Sequence, residues 1–472
     1  MFFKQFYLQG LGHASYLVGS EDTGEALLFD PQRHVRAYFD EARSQGLRIS
    51  YALDSHAHND YLSGLTEVRE RDSAVTGGVE LLGSAEANLG YGHRPLHDGE
   101  HVELGEVGIE VLHTPGHTPE HISLLVYDRK ASSEVPAMLL SGGALLVGDL
   151  ARPDLLGGRA QAEDSARVFC GTIQKKILEL PDHLEVFPTH VAGSLCGGNI
   201  GSRLSTTVGY ERRTNAILAG VSSKGEFVEQ CLRLDNLPAV PPYWKRMRQQ
   251  NLAGVAPLGV LAEPPALKPH AVKRLMQDGA TLLDTRAPEA FGGGHIPGAV
   301  NVGLGAAFAT WAGTVLDAAA AVVLVLDSPD DLWSVTWDLL RIGYEPPVGW
   351  LAGGMRAWRT AALELGHMAQ ISVHQLRERL DTGQVDLLDV RQPAEWAAGH
   401  VPGAMFMTGA ELPGRVHEVP QTDGALAVTC GSGYRSSVAA SLLARQGREV
   451  LNVLGGMSAW NAADYPTTKE DS

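Results

Sequence analysis

The chain reads as an α/β protein of three successive units, and three features predict it. In the first half, four short apolar runs each lead into a histidine or an aspartate. In the second half, a block of about 100 residues occurs twice, each copy with the strand–helix punctuation of a parallel sheet. Between the halves lies a proline-rich stretch of linker character.

A chain of 472 residues is too long for one core. Its 44% hydrophobic and 20% charged content is that of an ordinary globular protein. The formal charge of -17 argues against nucleic acid or an anionic membrane as partner, although a locally positive pocket can still take a small anion. Cys170, Cys196, Cys231 and Cys430 are too few and scattered for a disulfide framework, so a reducing, cytoplasmic location is expected. The N-terminus lacks the pattern of a signal peptide. The apolar runs Met138 to Gly148 and Ala318 to Leu326 are sized for core strands, too short to span a bilayer.

Taken in order, Tyr7-Leu8, Tyr16 to Gly19 and Ala26 to Phe29 read as strands, the last stopped by Asp30-Pro31. A helix is expected over Val35 to Gln45. The strand Ile49 to Leu53 then runs into Asp54-Ser55-His56-Ala57-His58-Asn59-Asp60-Tyr61. Alternation puts His56, His58 and Asp60 on one side, and a strand end can crowd metal ligands into a cleft. Val107 to Leu112 leads into His113-Thr114-Pro115-Gly116-His117. Ala144 to Val147, read as a strand, ends in Gly148-Asp149, and Leu184 to Phe187 ends in Pro188-Thr189-His190. One such fragment is as well explained by a polar loop; four in order point to a metal centre.

This set of motifs resembles the metallo-β-lactamase superfamily, which implies a four-layered αββα sandwich over residues 1–245 with its metal at the strand ends. The departure is Tyr61, where dinuclear zinc hydrolases of the superfamily carry a second-metal histidine. A phenol must lose a proton of pKa ~10 before it binds a divalent metal well. The resemblance therefore implies one metal held by His56, His117 and Asp149, with His58, Asp60 and His190 as outer supports or remnants of a second site. Two imidazoles and a carboxylate with open positions suit mononuclear Fe(II) that activates O2, and the sequence looks like the persulfide dioxygenase branch. His113 and His121 read as ordinary loop residues. Arg152 is open to two readings, a cation for a substrate anion or a salt bridge to Asp154. Cys196, flanked by glycines, is either a thiol at the metal pocket that handles sulfane sulfur or an inert buried cysteine. Cys170 and Cys231 read as packing.

The linker is expected over 246–268, followed by the two copies at 269–366 and 367–472. Leu282-Leu283-Asp284-Thr285-Arg286 recurs as Leu387-Leu388-Asp389-Val390-Arg391, and Gly294-His295-Ile296-Pro297-Gly298-Ala299 as Gly399-His400-Val401-Pro402-Gly403-Ala404. Gly353-Gly354-Met355 recurs as Gly455-Gly456-Met457. These signatures resemble the rhodanese (sulfurtransferase) domain. In the second copy a strand, Ala425 to Thr429, meets Cys430-Gly431-Ser432-Gly433-Tyr434-Arg435-Ser436-Ser437 and then a helix. Backbone N–H groups of such a turn favour a thiolate at Cys430 and can hold its persulfide, and Arg435 adds a cation for sulfite or thiosulfate. Gly431, Ser432, Gly433, Tyr434 and Ser436 are expected to form the loop that meets substrate. The first copy has Asp327-Ser328-Pro329-Asp330-Asp331 instead, with no thiol, and is expected to be inactive. Asp389, Arg391 and His400 have counterparts Asp284, Arg286 and His295 in that inactive copy, which favours a structural role for them.

The resemblance to persulfide dioxygenase–sulfurtransferase fusions implies Fe(II)- and O2-dependent oxidation of a small thiol persulfide to sulfite, sulfane-sulfur transfer through Cys430, and a homo-oligomer. Two other readings stay open at this point: a dinuclear zinc thioester hydrolase of the glyoxalase II kind, and a non-enzymatic sulfur-relay or sensing protein.

Overall fold

The computed structural model describes residues 1–73, 78–219, 221, 223–233, 237–422 and 424–469, and divides the chain into two units. The first comprises Met1–Leu237 and Trp244–Leu261; the second comprises Pro238–Tyr243 and Ala262–Ser472.

In the first unit, one six-stranded sheet runs Phe2–Leu8, His13–Gly19, Glu25–Phe29, Arg48–Leu53, Glu80–Ser84, Arg94–Leu96 in spatial order. The other runs Thr206–Thr207, Glu185–Pro188, Met138–Gly142, Ile122–Asp128, Val107–His113, His101–Leu104. Period-two alternation explains the layering. Val18, Leu27, Leu124 and Leu140 point into the core between the sheets. Their neighbours Leu17 and Leu28 pack outward on Tyr38 and Ala42 of the helix Arg36–Ser44. On the other side, Leu125 and Leu139 pack on Phe169, Cys170 and Ile173 at the end of the helix Arg159–Thr172. The result is an αββα sandwich whose strands are apolar on both faces. Cys170 and Cys231 lie in the outer core.

Two expectations are corrected. Residues 144–147 form no strand; the strand is Met138–Gly142, and the chain turns after it at Gly142, whose φ is 56°. The apolar character of Ala144, Leu145, Leu146 and Val147 reflects burial in turns. The supposed linker also begins with a helix, Trp244–Ala253, that belongs to the first unit. Its Asn251 accepts from Ser63 N and donates to the carbonyls of His58 and Tyr61, a task that prolines on either side conceal in the sequence.

The second unit holds two five-stranded sheets with parallel strands and one shared order. The first runs Ala266–Leu267, Gly349–Leu351, Val322–Val325, Thr281–Asp284, Val300–Asn301; the second runs Ala369–Ile371, Val450–Val453, Ala425–Thr429, Val385–Asp389, Met405–Phe406. The copies also share detail. Arg286 pairs with Asp284 and donates to Gly294 O, as Arg391 pairs with Asp389 and donates to Gly399 O. His295 stacks on Phe291 as His400 stacks on Trp396. A pair repeated where no nucleophile exists serves the fold.

Candidate metal centre and thiol site

The strand Arg48–Leu53 ends on a turn that the buried carboxylate of Asp30 organises. Asp30 closes the strand Glu25–Phe29 at φ 53°, a left-handed conformation that aspartate tolerates better than most residues. Its Oδ1 accepts from Ser55 N at 2.6 Å and from His58 Nε2 at 3.0 Å, and its Oδ2 accepts from Thr189 Oγ1. One carboxylate thus ties together two of the segments that carry the histidines. Burial alone would depress His58, but the Asp30 charge and hydrogen bond outweigh it and hold the imidazole raised. His58 is committed to Asp30. Sequence reading took Asp30 only as a strand stop; its place before Pro31 was the one available signal.

Nitrogen ligand atoms of His56, His117 and His190 lie within 4.8 Å of one another, all three buried. His117 Nδ1 donates to the Arg152 carbonyl at 2.7 Å, which leaves its Nε2 with a lone pair. Among the described residues nothing hydrogen-bonds that nitrogen. His56 Nδ1 lies 2.8 Å from Ser55 Oγ, and its Nε2 is 3.4 Å from His190 Nε2. His190 Nδ1 is 3.5 Å from Asp60 Oδ2 and 3.4 Å from Ser194 Oγ. Burial pushes His117 down to about 4 and holds His56 and His190 well below the ordinary value, so all three are neutral at pH 7. Neutral imidazoles with converging lone pairs and outer partners fit a transition metal such as iron or zinc.

The membership of this set differs from expectation. His190, expected as an outer support, places a ring nitrogen beside those of His56 and His117. Asp149 is absent from the set among the described residues, because its oxygens turn to backbone donors: Leu150 N at 2.8 Å and Asn199 N at 2.7 Å. Asp60 and His58 flank the trio, and burial pushes Asp60 up to about 6. Tyr61 packs its ring on His13 and His58 and donates to Asp30 O at 3.5 Å. Burial raises its phenol well above the usual value, so it offers no anionic oxygen to a metal. His121 is spent on Gly143 N and Thr114, and His113 on the carbonyl of Pro119.

Arg152 forms the salt bridge to Asp154: its fork donates to both carboxylate oxygens at 2.8 and 2.7 Å. Cys196 lies within 4.8 Å of Asp60 and His190, fully buried, and burial raises its thiol well above the ordinary range. It is therefore a neutral thiol beside the centre. The loop reaches that place because Gly193 approaches Gly12, where a Cβ would sit 2.0 Å from Ser194 N.

A clamp that sequence reading missed closes the rim. Arg248 of the helix Trp244–Ala253 donates to both oxygens of Glu120 at 2.8 Å and to Ala57 O, while Glu120 accepts from Ala57 N.

In the second unit, Cys430 is buried at a strand end and its Sγ accepts from Gly433 N at 3.1 Å and Ser436 Oγ at 3.5 Å. The repeated Gly-Gly-Met motif now has a reason. Met457 N and Ser458 N donate to the carbonyls of Cys430 and Gly431, and a Cβ on Gly456, at φ 50°, would lie 2.2 Å from Cys430 O. Tyr434 donates to Gly303 O of the other copy, and Asn301 of that copy accepts from Ser437 at 2.6 Å. Arg435 does not stand as a free cation: it pairs with both oxygens of Glu395 at 2.6 and 2.7 Å. Leu326 takes the place of Cys430 in the first copy, since Val325 pairs with Asp284 as Thr429 pairs with Asp389.

Known proteins agree with this division. The Metallo-beta-lactamase superfamily profile matches residues 8–132, and the Rhodanese-like domain profile matches 268–361 and 372–463. The mitochondrial persulfide dioxygenase ETHE1 of Mus musculus is 27% identical over 178 residues, 37% of this chain and 63% of that protein. A hydroxyacylglutathione hydrolase of Polaromonas sp. is 29% identical over 177 residues, 37% of this chain and 61% of its own length. The chain thus spans less than two thirds of each of these relatives. A solved metallo-beta-lactamase from Staphylococcus aureus is 33% identical, covers 74% of this chain and 98% of its own, and superposes with a TM-score of 0.64. The chain belongs to the metallo-beta-lactamase superfamily through its first unit, followed by two rhodanese-like domains.

Proposed function

We propose that the protein is a bifunctional enzyme of persulfide metabolism. Its first unit oxidises the outer sulfur of a small thiol persulfide: persulfide, O2 and water give thiol, sulfite and two protons. Its second unit moves sulfane sulfur through a persulfide on Cys430. The observation that carries the first half is the trio His56, His117 and His190, neutral and convergent, beside a Tyr61 phenol turned away to Asp30. The trio fits a single transition-metal ion, and of iron and zinc we take Fe(II), because the reading requires O2 activation. The activity named for the ETHE1 relatives agrees with that reading.

Held by His56, His117 and His190, iron would supply dioxygen activation at this site. The chain's own residues set the rest. The Arg152 carbonyl fixes the tautomer of His117, Asp60 and Ser194 orient His190, and neutral Cys196 lines the side nearest Asp60. In the second unit, Gly433 N–H and Ser436 hold the sulfur of Cys430 through both stages of transfer. The fusion keeps a labile persulfide at high effective concentration between two activities.

Oxygen-electrode turnover with persulfides, together with metal analysis of the same sample, tests this. About one iron per chain with persulfide-dependent O2 uptake is expected. Two zinc per chain with thioester hydrolysis and no O2 uptake would overturn it.

A further inference from the structure

The two rhodanese-like copies form an internal comparison. Features present in both, such as the Asp–Arg pairs and the His–aromatic stacks, belong to the fold. Features confined to the Cys430 copy belong to its site. Cys430 and Arg435 are two of these, with Leu326 and Asp331 at the corresponding positions. Glu395 is a third: counted from the stacked pair Trp396 and Phe291, its counterpart is Ala290.

Glu395 sits in the first turn of the helix Pro393–Ala398, where it also accepts from Gln392 N at 3.0 Å in a capping box. Both of its oxygens take the fork of Arg435. The pair lies over the residue that follows the nucleophile: a Cβ on Gly431 would be 2.9 Å from Arg435 Nη2 and 3.7 Å from Glu395 Oε1. The neighbouring cation, Arg391, is paired with Asp389. The loop mouth therefore presents a guanidinium whose charge is already matched.

We propose that Glu395 is a positioning and specificity residue of the Cys430 site, holding Arg435 in place while removing the net positive charge that a dianionic donor needs. The site is thereby set for thiol persulfides, whose reacting end carries at most one charge, over inorganic thiosulfate. This rests on the sulfurtransferase reading above. With thiosulfate, the Cys430 thiolate attacks the sulfane sulfur, the S–S bond breaks, and sulfite leaves with the electron pair. With a protonated persulfide, the same attack on the outer sulfur releases a thiolate. The first leaving group is a dianion beside a carboxylate; the second is a monoanion. Cyanide then takes the sulfur as thiocyanate and returns the Cys430 thiolate.

The test is steady-state thiocyanate formation by the full chain, with thiosulfate and cysteine persulfide as alternative donors. Glu395→Gln keeps the capping acceptor and removes the charge, so KM for thiosulfate should fall by about three- to tenfold while KM for cysteine persulfide moves less than about twofold. Glu395→Ala, the residue of the inactive copy, should shift the same ratio in the same direction. A merely structural Glu395 would change thermal stability and leave the ratio of the two KM values alone, which overturns the proposal. Wild-type protein that turns over neither donor removes the sulfurtransferase reading itself and this inference with it; wild-type turnover with an unchanged ratio removes the inference only.

Discussion

His117 donates from Nδ1 to the carbonyl oxygen of Arg152 at 2.7 Å, and Arg152 in turn is held by both oxygens of Asp154. The imidazole at one strand end is thus oriented by a loop carbonyl, and the ion pair that shapes that loop acts through its backbone.

The ligand set can be read from bound metal. His190→Ala should lower iron per chain as far as His56→Ala does, to below about a tenth of wild type. Asp149→Ala is the control from the alternative set. If His190→Ala keeps its iron and only Asp149→Ala loses it, the carboxylate is the third ligand and the three-histidine assignment fails.

Tyr61→Phe should leave the metal content unchanged and cost no more than about 1 kcal/mol, because it removes one long hydrogen bond to Asp30 O. Loss of iron in that variant would show the phenol to be a ligand.

The clamp between Glu120 and Arg248 predicts a pH dependence. Burial opposes the Glu120 charge, but the Arg248 pair and the Ala57 N–H overcome it and bring the carboxyl down to about 2. A folded value below the unfolded ~4.3 means stabilisation that is complete above ~4.3 and is lost as the pH falls toward about 2. Glu120→Gln leaves a half-buried guanidinium without its carboxylate and should destabilise the first unit by about 2 kcal/mol at pH 7. Its thermal midpoint should approach that of wild type between pH 4 and about 2. A constant gap across that range would contradict the assignment.

Cys430→Ser should abolish sulfurtransfer from thiosulfate or persulfide, by at least about a thousandfold, and spare persulfide-dependent O2 uptake. Loss of both activities would mean that the two sites are not separable.

Much of this was legible in residue order. Four apolar runs leading into His56, His117, Asp149 and His190 pointed to a metal centre, and the recurrence of Asp284-Thr285-Arg286 as Asp389-Val390-Arg391 pointed to two parallel-sheet copies. Period-two burial is a local property, so the αββα layers could be argued from sequence. The strand assigned to residues 144–147 failed for the same local reason: a buried turn is as apolar as a strand.

By itself the sequence determined which reactive groups the chain carries, because imidazoles, a thiol and a tyrosine after the Asp60 motif are matters of composition at fixed spacing. Only the tertiary structure decided which partners each group has. His190 joins His56 and His117, Asp149 turns to backbone donors, Arg152 and Arg435 are matched by Asp154 and Glu395, and Asp30 and Arg248 brace loops far from them in the chain. The reason is physical: in a buried site each charge and each lone pair must find a partner in space, and neighbours such as Asp30 and His58, 28 residues apart, or Glu120 and Arg248, 128 apart, leave no local signature.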